Sequence, residues 1–204
     1  MKHILLLTTG GTIASRPTEE GLAPGMDGDA LTRHFPLLSE NYALTVRDIL
    51  HLDSSNIQPE EWQLIARAVH DQRAAYDGVV ITHGTDTMAY TASVLSFMLR
   101  GIPIPVVLTG SQLPIEHPLT DALENLRIAF AMAASGTPGV FVAFDRKVIL
   151  GCRAVKTRTK GFDAFESVNW PPAALVDGGG LHIDPAALPP AAGDRCTLRD
   201  ELCR

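Results

Sequence analysis

Leu6–Ser15 reads LLTTGGTIAS. The aliphatic run from Ile4 to Leu7 passes straight into two threonines, two glycines and a third threonine. A short continuous apolar run of this kind fits a strand covered on both faces, as in a parallel α/β sheet. Its exit carries many hydroxyls and little side-chain bulk, and three readings compete for it. Ser, Thr and Gly make tight turns for purely structural reasons. Backbone N–H groups around paired glycines also cradle phosphates. A threonine hydroxyl beside a base can act as a nucleophile.

The rest of the chain repeats the pattern. Residues 9–27 hold Gly10, Gly11, Gly21 and Gly25 with Pro17 and Pro24, which predicts a loop. Residues 28–38 predict one short helix with Asp29 near its start, and ALTVRDIL at 43–50 a second strand. Pro59 suits a first helical position, Glu60 and Glu61 suit the N-terminal turn, and Trp62, Ile65, Ala66 and Val69 recur at helical spacing. A helix over 59–75 follows. GVVITHG at 78–84 and IPVVLTGS at 104–111 predict two more buried strands, with helices over 85–101 and 118–135. GVFVAFDRKVIL at 139–150 predicts strand, tight turn and strand. This alternation points to an α/β fold, a mainly parallel sheet with helices on both faces in a flavodoxin- or Rossmann-like three-layer sandwich. Residues 1–170 form its α/β domain. Residues 171–204, with five prolines and four glycines, predict a closing strand or loop and a polar tail, with no second domain.

Composition removes several function classes. The net charge of -6 opposes nucleic-acid binding, and the one basic cluster, Arg153, Lys156, Arg158 and Lys160, is short. No apolar run is long enough to cross a membrane, and the apolar start is too short for a secretory leader. Cys152, Cys196 and Cys203 are odd in number and lack metal-ligand spacing. They suggest a reducing cytoplasm, with Cys152 as a buried small apolar residue. Neither a metal nor a cofactor is expected. Trp62 and Trp170 read as packing anchors and His83 as structural.

In an open parallel sheet, ligands bind beyond the carboxyl ends of the strands. Each of the first four predicted strands ends there in polar chemistry: Thr8, Thr9 and Thr12; Asp53, Ser54 and Ser55; Thr82, His83, Thr85 and Asp86; Thr109, Ser111 and Gln112. Neither G-x-G-x-x-G nor G-x-x-x-x-G-K-[ST] occurs at the first exit, which counts against a nucleotide. The nucleophile reading therefore leads. Asp86 stands where a helix begins and reads equally as a cap or a catalytic carboxylate. A lysine against Thr85 would supply a base. Asp121 and Asn125, four apart on a predicted helix, read as structural.

Together TTGGTIAS, ITHGTDTM, VLTGSQLP and GCRAVKTRTKGFDAFESVN resemble the bacterial-type L-asparaginase family, Thr-dependent amidohydrolases, over roughly residues 3–170. The resemblance implies that Thr12 is the nucleophile and that Thr85, Asp86 and Lys156 form the family's Thr–Asp–Lys triad. It implies that Ser54 grips the substrate α-carboxylate, that Ser55 stands at the neighbouring binding position, and that Ser111 lines the amide pocket. Gly11 and Gly84 are expected to join Ser54, Ser55 and Ser111 in binding the substrate, and the resemblance implies that Asp86 also meets the substrate α-amino group. The implied reaction converts L-asparagine to L-aspartate and ammonia through a threonine acyl-enzyme, with glutamine as the near alternative. Two departures stand out. Leu22 occupies the place of the family's loop tyrosine, and the family's smaller C-terminal domain has no counterpart here. They motivate a rival reading, a non-catalytic amino-acid sensor. They also predict a homo-oligomer, a dimer or tetramer in which a neighbouring subunit covers the site.

Overall fold

The computed structural model describes residues 1–18, 21–189 and 196–202, with side chains for all of these except 16–18, 21–24, 37 and 39. Five parallel strands make the centre of one eight-stranded sheet: β1 (Lys2–Gly10), β4 (Tyr42–Leu52), β5 (Gly78–Thr82), β7 (Pro105–Thr109) and β8 (Gly139–Phe144). Their order is β4-β1-β5-β7-β8. The chain steps from β1 to one side and then returns past it to β5, so the switch point lies between β1 and β5. β9 (Lys147–Leu150), β12 (Ala174–Asp177) and β13 (Gly180–Ile183) extend the sheet antiparallel beyond β8.

Strict alternation along the strands assigns the two faces. Ile4, Leu6, Val80, Val107 and Phe141 point to one layer, where they meet Leu31, Leu38, Leu126, Ala129 and Phe130. Those partners come from α1 (Gly28–Arg33), α2 (Pro36–Asn41) and α5 (Ala122–Ala134). Leu5, Leu7, Val79, Ile81, Val106 and Leu108 point to the other layer, with Ile65, Ala66 and Val69 of α3 (Pro59–Gln72) and Met88, Ala92 and Leu95 of α4 (Met88–Met98). Covering both faces is why the strands read as unbroken apolar runs. The α/β three-layer architecture is the one the sequence predicted.

Local differences have local causes. The single helix expected over 28–38 is two, because Phe35 precedes Pro36 and takes an extended-side φ of -139°. Asp27 caps α1, accepting from the Ala30 N–H at 2.7 Å, and Asp29 stands in the first turn, near the start as expected. α4 begins at Met88 after Thr87, so Asp86 is not its cap. Asp145 and Arg146 both take positive φ, 48° and 61°, which closes the predicted β8–β9 hairpin with the twist a two-residue turn requires. Cys152 is exposed, against expectation: its neighbour Gly151 packs onto α4, where a Cβ would lie 2.8 Å from the Ala92 carbonyl, and the next residue faces outward. Trp170 is also 42% exposed, with Arg153 over its ring and its indole N–H on the Ala187 carbonyl. The remaining short strands are β2 (Ser15–Thr18) with β3 (Gly21–Pro24), β6 (Leu99–Arg100) with β14 (Thr197–Leu198), and β10 (Ala154–Lys156) with β11 (Phe165–Ser167).

Three chain exits lock together at the switch point. Gly10 has φ +101°, and a Cβ there would sit 2.5 Å from the Leu52 carbonyl oxygen. Gly11 has φ +86°, and its Cβ would sit 2.4 Å from the Gly84 nitrogen. A Cβ on Gly84 would in turn meet Ser54 Oγ at 2.5 Å. Beneath them His83 is fully buried. Its Nδ1 lies 2.7 Å from the Gly84 carbonyl, its Nε2 2.9 Å from Thr91 Oγ1, and the Trp62 indole N–H reaches the same Thr91 oxygen at 2.9 Å.

Two outcomes follow. Gly10→Ala combines a disfavoured φ with a backbone clash that no side chain can relieve, and lowers stability by about 1–3 kcal/mol or more; a lower urea midpoint is the readout, and an unchanged one contradicts the interlock. Burial pulls the His83 pKa from its ordinary 6.5 down to about 4, partly offset by the bond to Gly84. Between those values the unfolded chain binds a proton that the folded one refuses. Stability is therefore full above about pH 6.5, falls as pH drops toward 4, and levels off below, by about 3 kcal/mol in all. Urea unfolding of wild type and His83→Phe at pH 7.5 and 4.5 measures it: the variant, though less stable, shows the smaller loss between the two.

Candidate active site

A cavity of about 390 Å³ opens over the switch point. Gly11, Thr12 and Ser15 line it from the exit of β1, His51 to Ser54 with Asn56 from the exit of β4, and Gly84, Thr85 and Asp86 from the exit of β5. Thr12 opens a short 3₁₀ turn directly after the positive-φ glycine pair, and no hydrogen bond among the described residues occupies its hydroxyl. Ser15 Oγ donates to the Gly11 carbonyl at 2.9 Å and closes that turn.

Lys156 arrives from a segment 70 residues downstream of Asp86. It ends β10, whose partner strand β11 is anchored by Phe165, buried and ring-to-ring with Phe144 at 4.9 Å. The ammonium donates to Thr85 Oγ1 at 2.9 Å and to Asp86 Oδ1 at 2.7 Å. The lysine side chain is only 14% exposed, whereas that of Asp86 is 63% exposed. With one lone pair of Thr85 taken by Lys156, the threonine's own proton goes to Gln112 Oε1 at 3.3 Å. Gln112 is held from behind: its Nε2 donates to the Thr159 and Gly161 carbonyls at 3.1 and 2.9 Å. Its backbone N–H and that of Leu113 donate to the Asp121 carboxylate, and Asn125 donates to the Gly110 carbonyl. Asp121 and Asn125 are thus structural as read, and what they structure is the loop that carries Gln112.

Of the residues singled out in the sequence, Thr12, Thr85, Asp86, Ser54, Gly11 and Gly84 line the cavity, and Lys156 bonds to two of them. Ser54 is buried, and its carbonyl accepts from the Thr87 hydroxyl at 2.8 Å. Ser55 is not brought to the wall. It is exposed and its hydroxyl and N–H both serve Asp53, which they hold below the ordinary carboxylate pKa, the hydroxyl most strongly. Ser111 is buried with its hydroxyl on the Leu113 carbonyl, and is not among the lining residues. Leu22 lies in β3, and its side chain is outside the described residues. Several rim hydroxyls are sutures: Thr8 to Asp48, Thr9 to the Thr82 carbonyl and Thr109 to the Ala143 carbonyl. Gln112, read in the sequence only as one of the rim polar groups, enters the site through Thr85, and His51 and Asn56, not singled out there, line the cavity. Gln112 was visible as the last polar residue of TGSQ, and the other two as flanks of LDSS. Arg158 is tied to Glu166 and Asp163 away from the site. Among the described residues no group of three or more His, Cys, Asp or Glu side chains is placed to hold a metal.

Such an arrangement presents two cavity-lining hydroxyls without a partner among the described residues, those of Thr12 and Ser54, a further hydroxyl wired to a lysine that also holds a carboxylate, and glycine backbone beside them. It suits nucleophilic attack on a carbonyl with proton relay.

Comparison with known proteins agrees with that chemistry. The model of the asparaginase family's N-terminal domain matches residues 3–188. An L-asparaginase of Thermococcus kodakarensis is 52% identical over 176 residues, covering 86% of this chain and 54% of the relative. L-asparaginase 1 of Escherichia coli K12 is 41% identical over 197 residues, 93% of this chain and 57% of that one. The solved structure of the thermostable L-asparaginase from Thermococcus kodakarensis superposes with a TM-score of 0.90 at 46% identity, over 98% of this chain and 61% of that one. The chain spans little more than half the length of these relatives. On the family match and the fold together, the chain belongs to the asparaginase family, corresponding to its N-terminal domain.

Proposed function

We propose that the protein hydrolyses L-asparagine to L-aspartate and ammonia through an acyl-enzyme on Thr12. The observation that carries this reading is the Lys156 ammonium bonded at once to Thr85 and Asp86 on the wall of the cavity that Thr12 lines. Thr12 Oγ adds to the side-chain amide carbon, with backbone donors near Thr12 and Thr85 receiving the developing negative charge. The carbon–nitrogen bond breaks, and the nitrogen leaves as ammonia with the proton given up by the hydroxyl. Water then opens the ester, releasing aspartate and restoring Thr12. When Lys156 is neutral it accepts the Thr85 proton, which turns away from Gln112, and Thr85 can take a proton from the attacking group. Ser54 suits the substrate α-carboxylate, and the carboxylates of Asp86 and Asp53 suit its ammonium. We place Ser55 and Ser111 behind these groups, as supports for Asp53 and for the Gln112 loop.

Glutamine differs by one methylene, a discrimination of only about 1–3 kcal/mol in a pocket. Ammonia release from both amides sets the preference. Self-association belongs to the same proposal: a neighbouring copy closes the cavity and excludes water, and the free cysteines Cys152 and Cys196 fit a cytoplasmic setting. Light scattering of the pure protein reports the dimer or tetramer.

Thr12→Ala abolishes ammonia release, and Lys156→Met lowers kcat by about 10²–10⁴, the usual value of a positioned proton-transfer group. Full turnover by Thr12→Ala sinks the acyl-enzyme. Aspartate binding by calorimetry with no ammonia from either amide instead supports the sensor.

A further inference from the structure

We infer that Trp62, Thr91 and His83 form a one-way hydrogen-bond chain that fixes the Gly84–Thr85 peptide, and that His83 is a positioning residue for the cavity. All the direction is contained in the two ends. An indole N–H only donates, so Trp62 donates to Thr91 Oγ1, 2.9 Å away. The Thr91 proton then goes to His83 Nε2 at 2.9 Å, which makes that nitrogen the acceptor. In a neutral ring the proton must sit on Nδ1, and a carbonyl only accepts, so Nδ1–H donates to Gly84 O at 2.7 Å. Each donor meets an acceptor, and one tautomer alone satisfies the whole chain. His83 and Thr91 are fully buried, so water does not compete.

The terminal carbonyl is what gives the chain a purpose. Peptides are planar and none here is cis, so the Thr85 N–H points opposite to the Gly84 C=O. The carbonyl points down to buried His83, and the N–H therefore points away from it, on the residue that lines the cavity. No backbone bond among the described residues takes that N–H. A donor held from behind by a rigid chain of bonds is preorganised for negative charge on a bound carbonyl oxygen. The chain also ties α3 and α4 to the exit of β5, so the packing of two helices sets the angle of one peptide. Its catalytic consequence rests on the amidohydrolase reading above; its tautomer does not.

Long-range proton–nitrogen NMR of ¹⁵N-histidine-labelled protein at pH 7, assigned with His83→Asn, reads the tautomer directly. The expected result is protonated Nδ1 and bare Nε2; protonated Nε2 overturns the inference. The near-isosteric Thr91→Val breaks the middle bond, and Thr91→Ser restores it. We expect Thr91→Val to lower kcat about tenfold to a hundredfold with KM within about twofold, and Thr91→Ser to recover most of the loss. Wild-type kcat in a folded Thr91→Val protein, or no recovery in Thr91→Ser, overturns the positioning role. Absence of ammonia release from wild type would refute the amidohydrolase reading, while the tautomer still decides the chain.

Discussion

Direct backbone contact between the chain exits of β1 and β5 is the constraint on which the rest depends. Gly11 lies so close to Gly84 that no side chain fits between them, and Gly84 in turn lies against Ser54. Three separate strand ends are thereby brought to one point, and Thr12, Ser54 and Thr85 face a common cavity. A methyl group at either glycine would push the walls apart. Gly11 and Gly84 thereby set the spacing of Thr12, Ser54 and Thr85.

Around this contact, most of the hydroxyls serve as fasteners. Thr8 ties β1 to β4, Thr9 ties β1 to β5, and Thr109 ties β7 to β8. Buried polar groups need partners, and strand ends that must come close satisfy one another's carbonyls this way. Thr12, Ser54 and Thr82 have hydroxyls with no such partner among the described residues; Thr82 is buried, while Thr12 and Ser54 line the cavity. What distinguishes Thr85 is that its partners, Lys156 and Gln112, are themselves chemical or anchored groups. The abundance of hydroxyls at the rim therefore overstates how many are free of a structural bond.

Rigidity behind the site comes from three directions. Asp121 and Asn125 hold the Gln112 loop, the Phe144–Phe165 contact holds the ribbon that ends in Lys156, and the His83 chain holds Gly84. Each uses groups that the cavity does not expose. The proposed proton relay would work only while its members stay within bonding distance, so these supports bear on it as much as the residues they support.

By itself the sequence determined the layers and the chemistry on offer. Unbroken apolar strands alternating with amphipathic helices dictate a doubly covered parallel sheet, because both faces must be buried. The motif residues Thr12, Thr85 and Lys156 were legible because their resemblance to known motifs carries roles. Tertiary structure alone decided which hydroxyls are free. Ser55 and Ser111 look in sequence like Ser54, yet their hydroxyls are spent on Asp53 and Leu113. Gln112 and His83 gained their meaning only from neighbours 27 and 8 residues away, Thr85 and Thr91. Hydrogen-bond direction depends on the partner at the far end of a chain of contacts, and that partner is fixed by packing between elements, which no local pattern records.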